Sequence, residues 1–359
     1  MSPLDKARAI NQAGTHYGSF AEIGAGQEVA RWFFAAGKAS NTVAKTMSAY
    51  DMTFSDAIYG AEEHNRYVCE NRLRSMLATE YKLLEDRIGS TKKSRFFVFA
   101  DTVASLSSRN KHSGHGWLGI RFQSMQGSPT SDCIVHFRMQ KGLLSDQQAA
   151  IGILGVNLLH ACLMHDDMPA AQRVKNLLDD VRPGQITIDT MRFDGPLFAS
   201  CDRLELARAV LEHCCGSALL MDPQGRLLPP ADTFFHCPLL AATEAVPDNV
   251  FQTAQKTLSH SMVARILLKP MLLKPLLTPS ILTDASDVWA LSEFFEKNIS
   301  EMCLLVTPAE FEAAKLTDLS QFLSNNVHLV LTSPVTPGTS AHYLVQYLEA
   351  EKKLSLLTP

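Results

Sequence analysis

Three short β-type runs followed by a long, almost uniformly apolar segment constrain the fold more than any other feature of this sequence. The runs cover residues 95–100, 116–123 and 132–139 and are separated by turns rich in Ser, Gly and Asn. The segment 145–165 predicts a helix with Ser145 as its N-cap and Gln148 three residues further on. Because a helix that is apolar on all sides has to be covered on all sides, we expect it in the core of an α/β structure with a mixed central sheet.

The second half of the chain alternates between strand and helix patterns. Residues 185–193 and 217–222 predict strands on either side of a helix at 202–214. The alternation recurs as strands at 302–307 and 327–332 and helices at 288–297, 309–324 and 341–353. This pattern is typical of a Rossmann-like layer of parallel strands. Between its two parts, residues 269–279 carry closely spaced prolines, which exclude a long helix and favour a linker or an edge strand.

The N-terminal region carries mostly helical patterns. Val29, Trp32 and Phe33 form the stripe of a helix that Gly37 ends. Residues 41–50 predict a second helix, and residues 65–87 predict a long amphipathic one. Residues 13–20 are polar and broken by glycine, so they predict no strand.

The segment 22–28, which reads EIGAGQE, has two interpretations. An acidic residue followed by Gly-x-Gly at the start of a helix is typical of cofactor loops in methyltransferases and some dinucleotide-binding folds. Such a loop follows a buried strand, which the sequence does not predict here, and the third glycine of the dinucleotide fingerprint is missing. The start of a helix, with Gly24 and Gly26 in the turn, is therefore the favoured interpretation.

Length and composition predict an ordered globular chain with several compact parts. The chain has 359 residues, of which 46% are hydrophobic and 19% are charged. We expect a helical N-terminal region at 1–94, a central α/β domain at 95–240 and a C-terminal α/β domain at 241–359. The net charge of −4 gives no general positive field, so no nucleic acid is expected as a partner.

The sequence also predicts the cellular setting. No apolar run approaches the roughly 18 residues of a membrane helix, and the first residues lack the apolar core of a secretory signal. The 8 cysteines include no C-x-x-C pair, so we expect reduced thiols and no bound metal. These features predict a soluble protein of the cytoplasm or another reducing intracellular compartment, without membrane insertion.

Several segments of the chain resemble one family of bacterial proteins. The matching segments read FAEIGAGQEVAR, TVAKTMSAYDMTFSDAIYG, RYVCENRL, FFVFADTVAS, GHGWLGIRFQ and ILGVNLLHA, and two others, ITIDTMRFDGPLF and ALLMDPQGRLLPP, match more loosely. Members of the family are usually longer than this chain and carry automatic labels as nicotinate-nucleotide adenylyltransferase or as TonB-dependent receptor. The resemblance covers the N-terminal half best and the residues after 240 poorly.

The resemblance implies a shared fold and a common function. Adenylyltransferases hold the nucleotide phosphates with a G-S-F-type strand–loop segment and a following H-x-G-H. The corresponding residues here, 237–251, contain neither a glycine nor a pair of histidines. This departure removes the physical basis of the adenylyltransferase label in this chain.

Candidate ligand-binding residues lie in the stretch 17–60 and in the loop after the strand at 95–100. The loop combines hydroxyl, amide, cationic and imidazole groups with glycine, which suits an anionic or phosphorylated ligand. Asp101 is expected just beyond the carboxyl end of its strand, where ligands gather in α/β sheets. The candidates are Glu22, Glu28, Arg31, Asp51, Asp56, Asp101, Arg109, His112 and His115. Asp51 and Asp56 can equally cap helices, and His112 with His115 is a weak metal signal without a third ligand.

Two further polar groups need an explanation. Asp189 lies in the apolar strand at 185–193 and requires a partner, because an unpaired buried charge is costly. Arg121 and Arg138, both in predicted strands, are the candidates, either for a buried ion-pair network or beside a catalytic carboxylate. The run 165–167, His-Asp-Asp, follows the apolar helix and is interpreted as its polar end rather than as a metal site.

Two functions remain open from the sequence. In the first, the protein binds a nucleotide or a phosphorylated metabolite, as an enzyme or as a ligand-binding protein, with a pocket built from 17–60 and the loop 101–115. In the second, it is a non-catalytic scaffold or an assembly subunit of a larger complex, with protein partners or as a homo-oligomer. The sequence identifies no cofactor.

Overall fold

A computed structural model gives the structure of the chain. It describes residues 1–62, 66–106, 114–139, 142–165, 167–215, 218–222 and 224–229, together with the later strands 239–242, 265–268, 301–306, 327–332 and 354–356. The chain divides into two compact units, Met1–Cys214 and Cys215–Pro359. The three-part division expected from the sequence stays a prediction.

The described residues confirm the mixed α/β class. The helices are α1 (Pro3–Ala13), α2 (Val29–Ala36), α3 (Met52–Tyr59), α4 (Glu70–Ile88), α5 (Leu144–Leu163), α6 (Ala170–Val174) and α7 (Arg203–Val210). The strands are β1 (His16–Gly24), β2 (Val43–Ala49), β3 (Arg95–Ala104), β4 (His115–Gln123), β5 (Thr130–Met139), β6 (Ile186–Asp194), β7 (Ala218–Met221), β8 (Leu227–Leu228), β9 (Leu239–Ala242), β10 (Arg265–Leu268), β11 (Glu301–Val306), β12 (Val327–Thr332) and β13 (Leu354–Leu356). Within these residues, no helix is both long and apolar enough to cross a membrane.

The first unit is built on a 6-stranded sheet in the order β2-β1-β3-β4-β5-β6. Strands β2, β1 and β3 are parallel, whereas β3 to β6 form an antiparallel meander. The sheet is therefore mixed, as the sequence predicted. Helix α4 covers one face, where Leu73 and Leu77 belong to one buried cluster with Val98 and Trp117.

The opposite face of this sheet carries α1, α2 and α5. The ring of Phe20 in β1 lies 5.0 Å from that of Phe33 in α2 and 5.6 Å from that of Phe97 in β3. Helix α5 is buried on nearly all sides, as predicted. Because successive side chains of a strand point to opposite faces, a residue of β1 or β3 faces either α4 or the α2–α5 side.

The N-cap predicted for the apolar helix, Ser145, is wrong by two residues. The N-cap of α5 is Leu143, which makes no side-chain capping bond, and Ser145 lies inside the first turn. Gln147 holds this start instead, since its side-chain amide donates to the carbonyl of Gly142 at 3.0 Å and accepts from the amide of Leu106 at 2.9 Å. A tertiary contact therefore replaces the local cap.

The N-terminal region contains the helices α1 to α4 but also two strands that the sequence did not predict. The prediction that residues 13–20 form no strand is wrong, because β1 occupies His16–Gly24. This strand lies between β2 and β3 and is buried on both faces, so its sequence shows no alternation. The helix predicted at 41–50 is also wrong. Residues Val43–Ala49 form the edge strand β2, which fits the β-branched side chains of Val43 and Thr46.

The strands of the central region agree with the prediction apart from their ends. The main difference is β3, which runs to Ala104 and not to residue 100. Asp101 therefore lies inside the strand and is fully buried, whereas the sequence placed it just beyond the strand. The helix predicted at 65–87 begins later, at Glu70, behind Cys69 as N-cap.

The second unit contains a 7-stranded sheet in the order β13-β9-β10-β11-β12-β7-β8. Strands β13, β9, β10, β11 and β12 pair in parallel, and β7 pairs antiparallel with both β12 and β8. The strands predicted at 302–307 and 327–332 are confirmed as β11 and β12. The helices predicted at 288–297, 309–324 and 341–353 and the proline-rich segment 269–279 lie outside the described residues.

Candidate functional site

Two polar groups lie near the edge of the first sheet where β1 and β3 end. Strands β1 and β3 are parallel, so their carboxyl ends meet at this edge, and the antiparallel meander brings the start of β4, the end of β5 and the start of β6 to it. One group, Glu22 and Asp101, faces α2 and α5. The other, with His115, His136 and Asp189, faces α4, since Trp117 on the same side of β4 as His115 packs with α4.

Glu22 binds the first amides of α2. Its Oε1 accepts from the backbone amide of Val29 at 2.7 Å, and its Oε2 accepts from that of Ala30 at 3.4 Å. A helix N-terminus is the place where a cofactor loop offers amides to a phosphate. In this chain, the protein's own carboxylate occupies two of those amides.

Asp101 stands opposite Glu22 in the register of β1 and β3 and is fully buried. Its Oδ1 accepts from the amide of Ile23 at 3.3 Å, and its Oδ2 has no hydrogen-bond partner among the described residues. Gly26 closes over it, because a Cβ at this glycine would lie 2.2 Å from Oδ1 of Asp101. The glycine of the loop therefore makes room for a carboxyl group and not for a ligand's phosphate.

Burial and mutual repulsion keep a proton on this pair of carboxyl groups. Burial raises the pKa of Glu22 to about 7, although the amides of Val29 and Ala30 favour its ionised form and Glu28 adds a further rise. Burial and the charge of Glu22 raise the pKa of Asp101 well above its ordinary range. Once Glu22 ionises, at about pH 7, we therefore place the remaining proton on Asp101 and the charge on Glu22, whose carboxylate binds the helix amides.

On the α4 face, three side chains form a hydrogen-bonded chain from the interior to the edge of the sheet. Nδ1 of His136 lies 2.5 Å from Oδ1 of Asp189, and Nε2 of His136 lies 3.1 Å from Nδ1 of His115. Asp189 and His136 are buried, and His115 is half-buried. A register shift between β5 and β6 makes this contact possible, since His136 pairs with Thr190 and Phe137 pairs with Ile188, which leaves Asp189 as the extra residue.

The charge of Asp189 fixes the proton positions in this chain. Burial alone raises the pKa of Asp189, but His136, Arg138 and His115 outweigh it and hold this pKa below its ordinary value. An ionised Asp189 accepts from Nδ1–H of His136. In the neutral form, Nε2 of His136 then accepts from Nδ1–H of His115, which leaves the lone pair of His115 on its Nε2.

Arg138 completes this group. Its Nε lies 2.9 Å from Oδ2 of Asp189, and its side chain is 16% exposed. Arg138 also stands opposite His115 in the register of β4 and β5. The sequence predicted that Asp189 needs Arg121 or Arg138 as a partner, and Arg138 is confirmed. Arg121 instead binds Asp132 through two hydrogen bonds of 2.8 and 2.7 Å.

The remaining candidates from the sequence lie elsewhere. Arg31 of α2 forms an ion pair of 3.1 Å with Glu28, the N-cap of that helix. Asp51 is the N-cap of α3, where its Oδ1 accepts from the amide of Phe54 at 2.9 Å. Asp56 binds the buried guanidinium of Arg72 at 2.5 Å.

The structure thus joins Glu22 with Asp101 and places His115 at the same edge on the opposite face. Asp51 and Asp56 instead lie at α3, where Asp51 is the N-cap and Asp56 binds Arg72 of α4. Arg109 and His112 lie outside the described residues.

Only part of the histidine chain is visible from the sequence. His115 is among the candidates from the sequence, whereas His136 is not. The extra residue in β6 that aims Asp189 at His136 leaves no signal in the sequence. Among the described residues, no three His, Cys, Asp or Glu side chains are grouped so that they can hold a metal ion.

Comparison with known proteins gives little guidance. No family model matches the chain, and no curated protein matches it. The bacterial family that it resembles by sequence and the adenylyltransferase label are therefore not established for it.

Solved structures with a likeness to this chain include members of the competence-damaged protein (CinA) superfamily. A superfamily member from Klebsiella pneumoniae 700603 is 12% identical, with a TM-score of 0.36 over 46% of this chain and 99% of that chain. A competence/damage inducible protein from Agrobacterium tumefaciens is 16% identical, with a TM-score of 0.30 over 43% of this chain and 95% of that chain. Likeness at this level establishes neither a shared family nor a shared activity.

Proposed function

We propose that this protein binds a small anionic ligand, of the nucleotide or phosphorylated-metabolite class, at the α4 side of the sheet edge, and that His115 exchanges a proton with it. The observation that carries the proposal is the chain Asp189–His136–His115, in which a buried carboxylate orients two imidazoles towards the edge. Ligands of α/β sheets gather at the edge where parallel strands end.

The proton chemistry follows from the tautomers. When Nε2 of His115 takes a proton, His115 becomes an imidazolium whose Nδ1–H still donates to His136. The charge of Asp189, two hydrogen bonds away, stabilises that imidazolium without itself taking the proton. A base placed in this way contributes about 10²- to 10⁴-fold to the rate of a proton transfer.

The anionic character of the ligand follows from the guanidinium of Arg138 at this edge and from the imidazole of His115 beside it. Arg138 and His115 are opposite each other in the register, and both face α4. Arg138 is partly exposed, and its ion pair with Asp189 fixes the position of its guanidinium. A fixed guanidinium beside imidazole groups is the kind of donor set that phosphate and carboxylate groups bind.

A thermal-shift panel tests the proposal. Inorganic phosphate, pyrophosphate, AMP, ATP and sugar phosphates are added to the whole protein, and binding to the folded state raises Tm. We expect a phosphorylated compound to raise Tm, and we expect His115→Gln to reduce that rise. The matched control is His165→Gln, an exposed histidine beyond the end of α5, which should leave the rise unchanged. If no compound raises Tm, or if both variants respond like the wild type, this function is wrong.

A second candidate function rests on a different observation. Tyr50, Met52 and Phe54 are 81%, 57% and 58% exposed, and they directly follow the edge strand β2. Large apolar side chains beside an open sheet edge favour the assembly-subunit hypothesis, with a second copy of the chain as the partner. Light scattering of the wild type and of Phe54→Ser tests it. A dimer that the substitution splits supports this function, whereas a monomeric wild type contradicts it.

A further inference from the structure

A pocket of about 350 Å³ lies at the opposite end of β6 from Asp189. It is formed by the residues before and in α6, by the turn 196–198 that follows β6, and by the start of α7. Its volume is at the lower end of the range of about 300–1,000 Å³ that is usual for small-molecule sites. Neither of the two polar groups described above contributes to it.

The floor of the pocket is apolar and firmly held. Met168, Leu197 and Phe198 line it. Phe198 is buried, and its ring packs on those of Phe193 at 4.7 Å and Phe122 at 6.2 Å. A rigid floor of this kind can accept the hydrocarbon part of a ligand without rearrangement.

Arg173 supports the floor from beneath. Its guanidinium lies 5.4 Å from the centre of the Phe198 ring. Its Nε donates to the carbonyl of Met168 at 2.9 Å, and its NH1 donates to that of Ala161. This buried cation is therefore bound to protein carbonyls and is not among the residues that line the pocket.

The rim of the pocket is acidic. Asp167, Asp202 and Glu205 line it with exposed carboxylates, and no Lys, Arg or His of the described part of the chain lines it. Arg203 is the adjacent cation in the chain, outside the lining. Asp202 also caps α7, where its Oδ1 accepts from the amides of Leu204 and Glu205 at 2.9 and 3.0 Å.

We propose that this pocket binds a small organic cation, an amine or a guanidinium compound, with its apolar stem on the Phe198 floor and its charge at the rim formed by Asp167, Asp202 and Glu205. The cavity and the apolar floor call for a ligand with a hydrocarbon body. The carboxylates of the rim favour a ligand with a positive charge. A single metal ion is a poorer match, because these three side chains are not grouped closely enough to hold one.

The thiol in the pocket does not suggest a covalent reaction. Cys201 lines the pocket, and burial together with the charge of Asp202 raises the pKa of its thiol. A thiol with a raised pKa is a poor nucleophile at neutral pH. The pocket is therefore assigned to reversible binding.

Methyl NMR of the whole protein tests this assignment. Methionine methyl groups are labelled with ¹³C, the signal of Met168 is assigned with Met168→Leu, and the probe is benzylamine. We expect the Met168 signal to shift saturably, with a Kd of about the millimolar order that is usual for a fragment of this size. Benzyl alcohol and benzoate, which share the ring but lack the positive charge, should bind at least about tenfold more weakly, a difference of about 1.4 kcal/mol.

Two variants locate the charge selection. Asp167→Asn and Glu205→Gln each remove one exposed rim carboxylate, and each should weaken benzylamine binding by about two- to fivefold, as expected for exposed ion pairs. Asp86→Asn, an exposed carboxylate of α4, is the matched control and should change nothing. Equal affinity for benzylamine and benzyl alcohol, unchanged affinity in both rim variants, or the absence of a shift at Met168 would each overturn the proposal.

Discussion

At the scale of single residues, the carboxyl pair Glu22–Asp101 links stability to pH. Glu22 has a folded-state pKa of about 7 against an ordinary value of 4.5. The folded protein therefore holds a proton that the unfolded chain releases. The stability that this proton contributes is complete below pH 4.5 and is lost as the pH rises through about 7.

Glu22→Gln removes this titration. We predict that the free energy of unfolding of the wild type, relative to that of the variant, falls by about 2 to 3 kcal/mol between pH 5 and pH 8. Urea denaturation at several pH values measures the difference, in which titrating groups that do not interact with Glu22 cancel. Glu28→Gln is the control, because it removes a neighbouring charge and keeps the titrating group. A difference that does not change with pH would show that Glu22 carries no raised pKa.

The pH dependence of stability that Asp189 contributes has the opposite sign to that of Glu22. Because its pKa is lowered in the folded state, the stability that its charge contributes is present above its ordinary value of 3.8 and is lost as the pH falls below it. Removing the charge leaves Arg138 and His136 without their buried partner, which costs much more than an exposed pair is worth.

We predict that Asp189→Asn lowers the free energy of unfolding by about 3 to 5 kcal/mol at pH 7. Asp194→Asn, at the exposed end of the same strand, should cost less than about 1 kcal/mol, although it also breaks an ion pair, of 2.8 Å with Arg74. Denaturation of both variants checks the contrast. Equal costs would mean that the Asp189–His136 contact adds nothing to the fold.

At the scale of elements, helix α5 is held against α2 by close contact at a glycine. A Cβ at Gly155 would lie 2.4 Å from Cγ2 of Val29 and 3.1 Å from Cζ of Phe99. Alanine favours a helix over glycine by about 1 kcal/mol, but overpacking a core typically costs about 1 to 3 kcal/mol.

We therefore predict that Gly155→Ala destabilises the protein, in spite of the better helix propensity of alanine. The reverse exchange, Ala149→Gly, lies on the exposed side of the same helix and should cost only the propensity difference of about 1 kcal/mol. Thermal unfolding compares the two. A stabilised Gly155→Ala variant would contradict the close packing of α5 on α2.

How well the sequence predicted an element depended on where the element lies. Strands β4 and β5 pair with antiparallel neighbours and have clear boundaries, so their patterns were readable. Strand β1 is buried on both faces and contains the buried polar residues Ser19 and Glu22, so no local pattern marked it. Strand β2 was mistaken for a helix because the spacing of Val43 and Met47 fits both periods.

The same limit applies to the candidate site. From the sequence, Glu22, Asp101 and His115 are candidate ligand-binding residues. It could not show that Glu22 and Asp101 face each other, since this depends on the pairing of β1 with β3. It also could not show the chain Asp189–His136–His115, which depends on the register shift between β5 and β6.

At the scale of the whole molecule, the chain consists of two units with separate sheets. The first unit has its own buried core, built on both faces of the 6-stranded sheet. A unit with a core of its own is expected to fold alone. We predict that the fragment Met1–Cys214 unfolds in a single cooperative transition.

Circular dichroism melting and the dispersion of amide NMR signals check this prediction. The fragment includes Cys214 because this residue is buried in the first unit, where its Sγ lies 3.7 Å from the carbonyl of Val174. A fragment that is unfolded or melts without cooperativity would mean that the first unit needs the rest of the chain.

The central claim, an anionic ligand at the His115 edge, is tested most directly by imidazole NMR of the whole protein during titration with inorganic pyrophosphate. We predict that the ring signals of His115 and His136 shift together and saturably, because the two imidazoles are hydrogen-bonded to each other. The signals of His160 and His165, which lie in and beyond the end of α5, should not move. Saturable shifts confined to other histidines, or no shift at His115, would contradict the account.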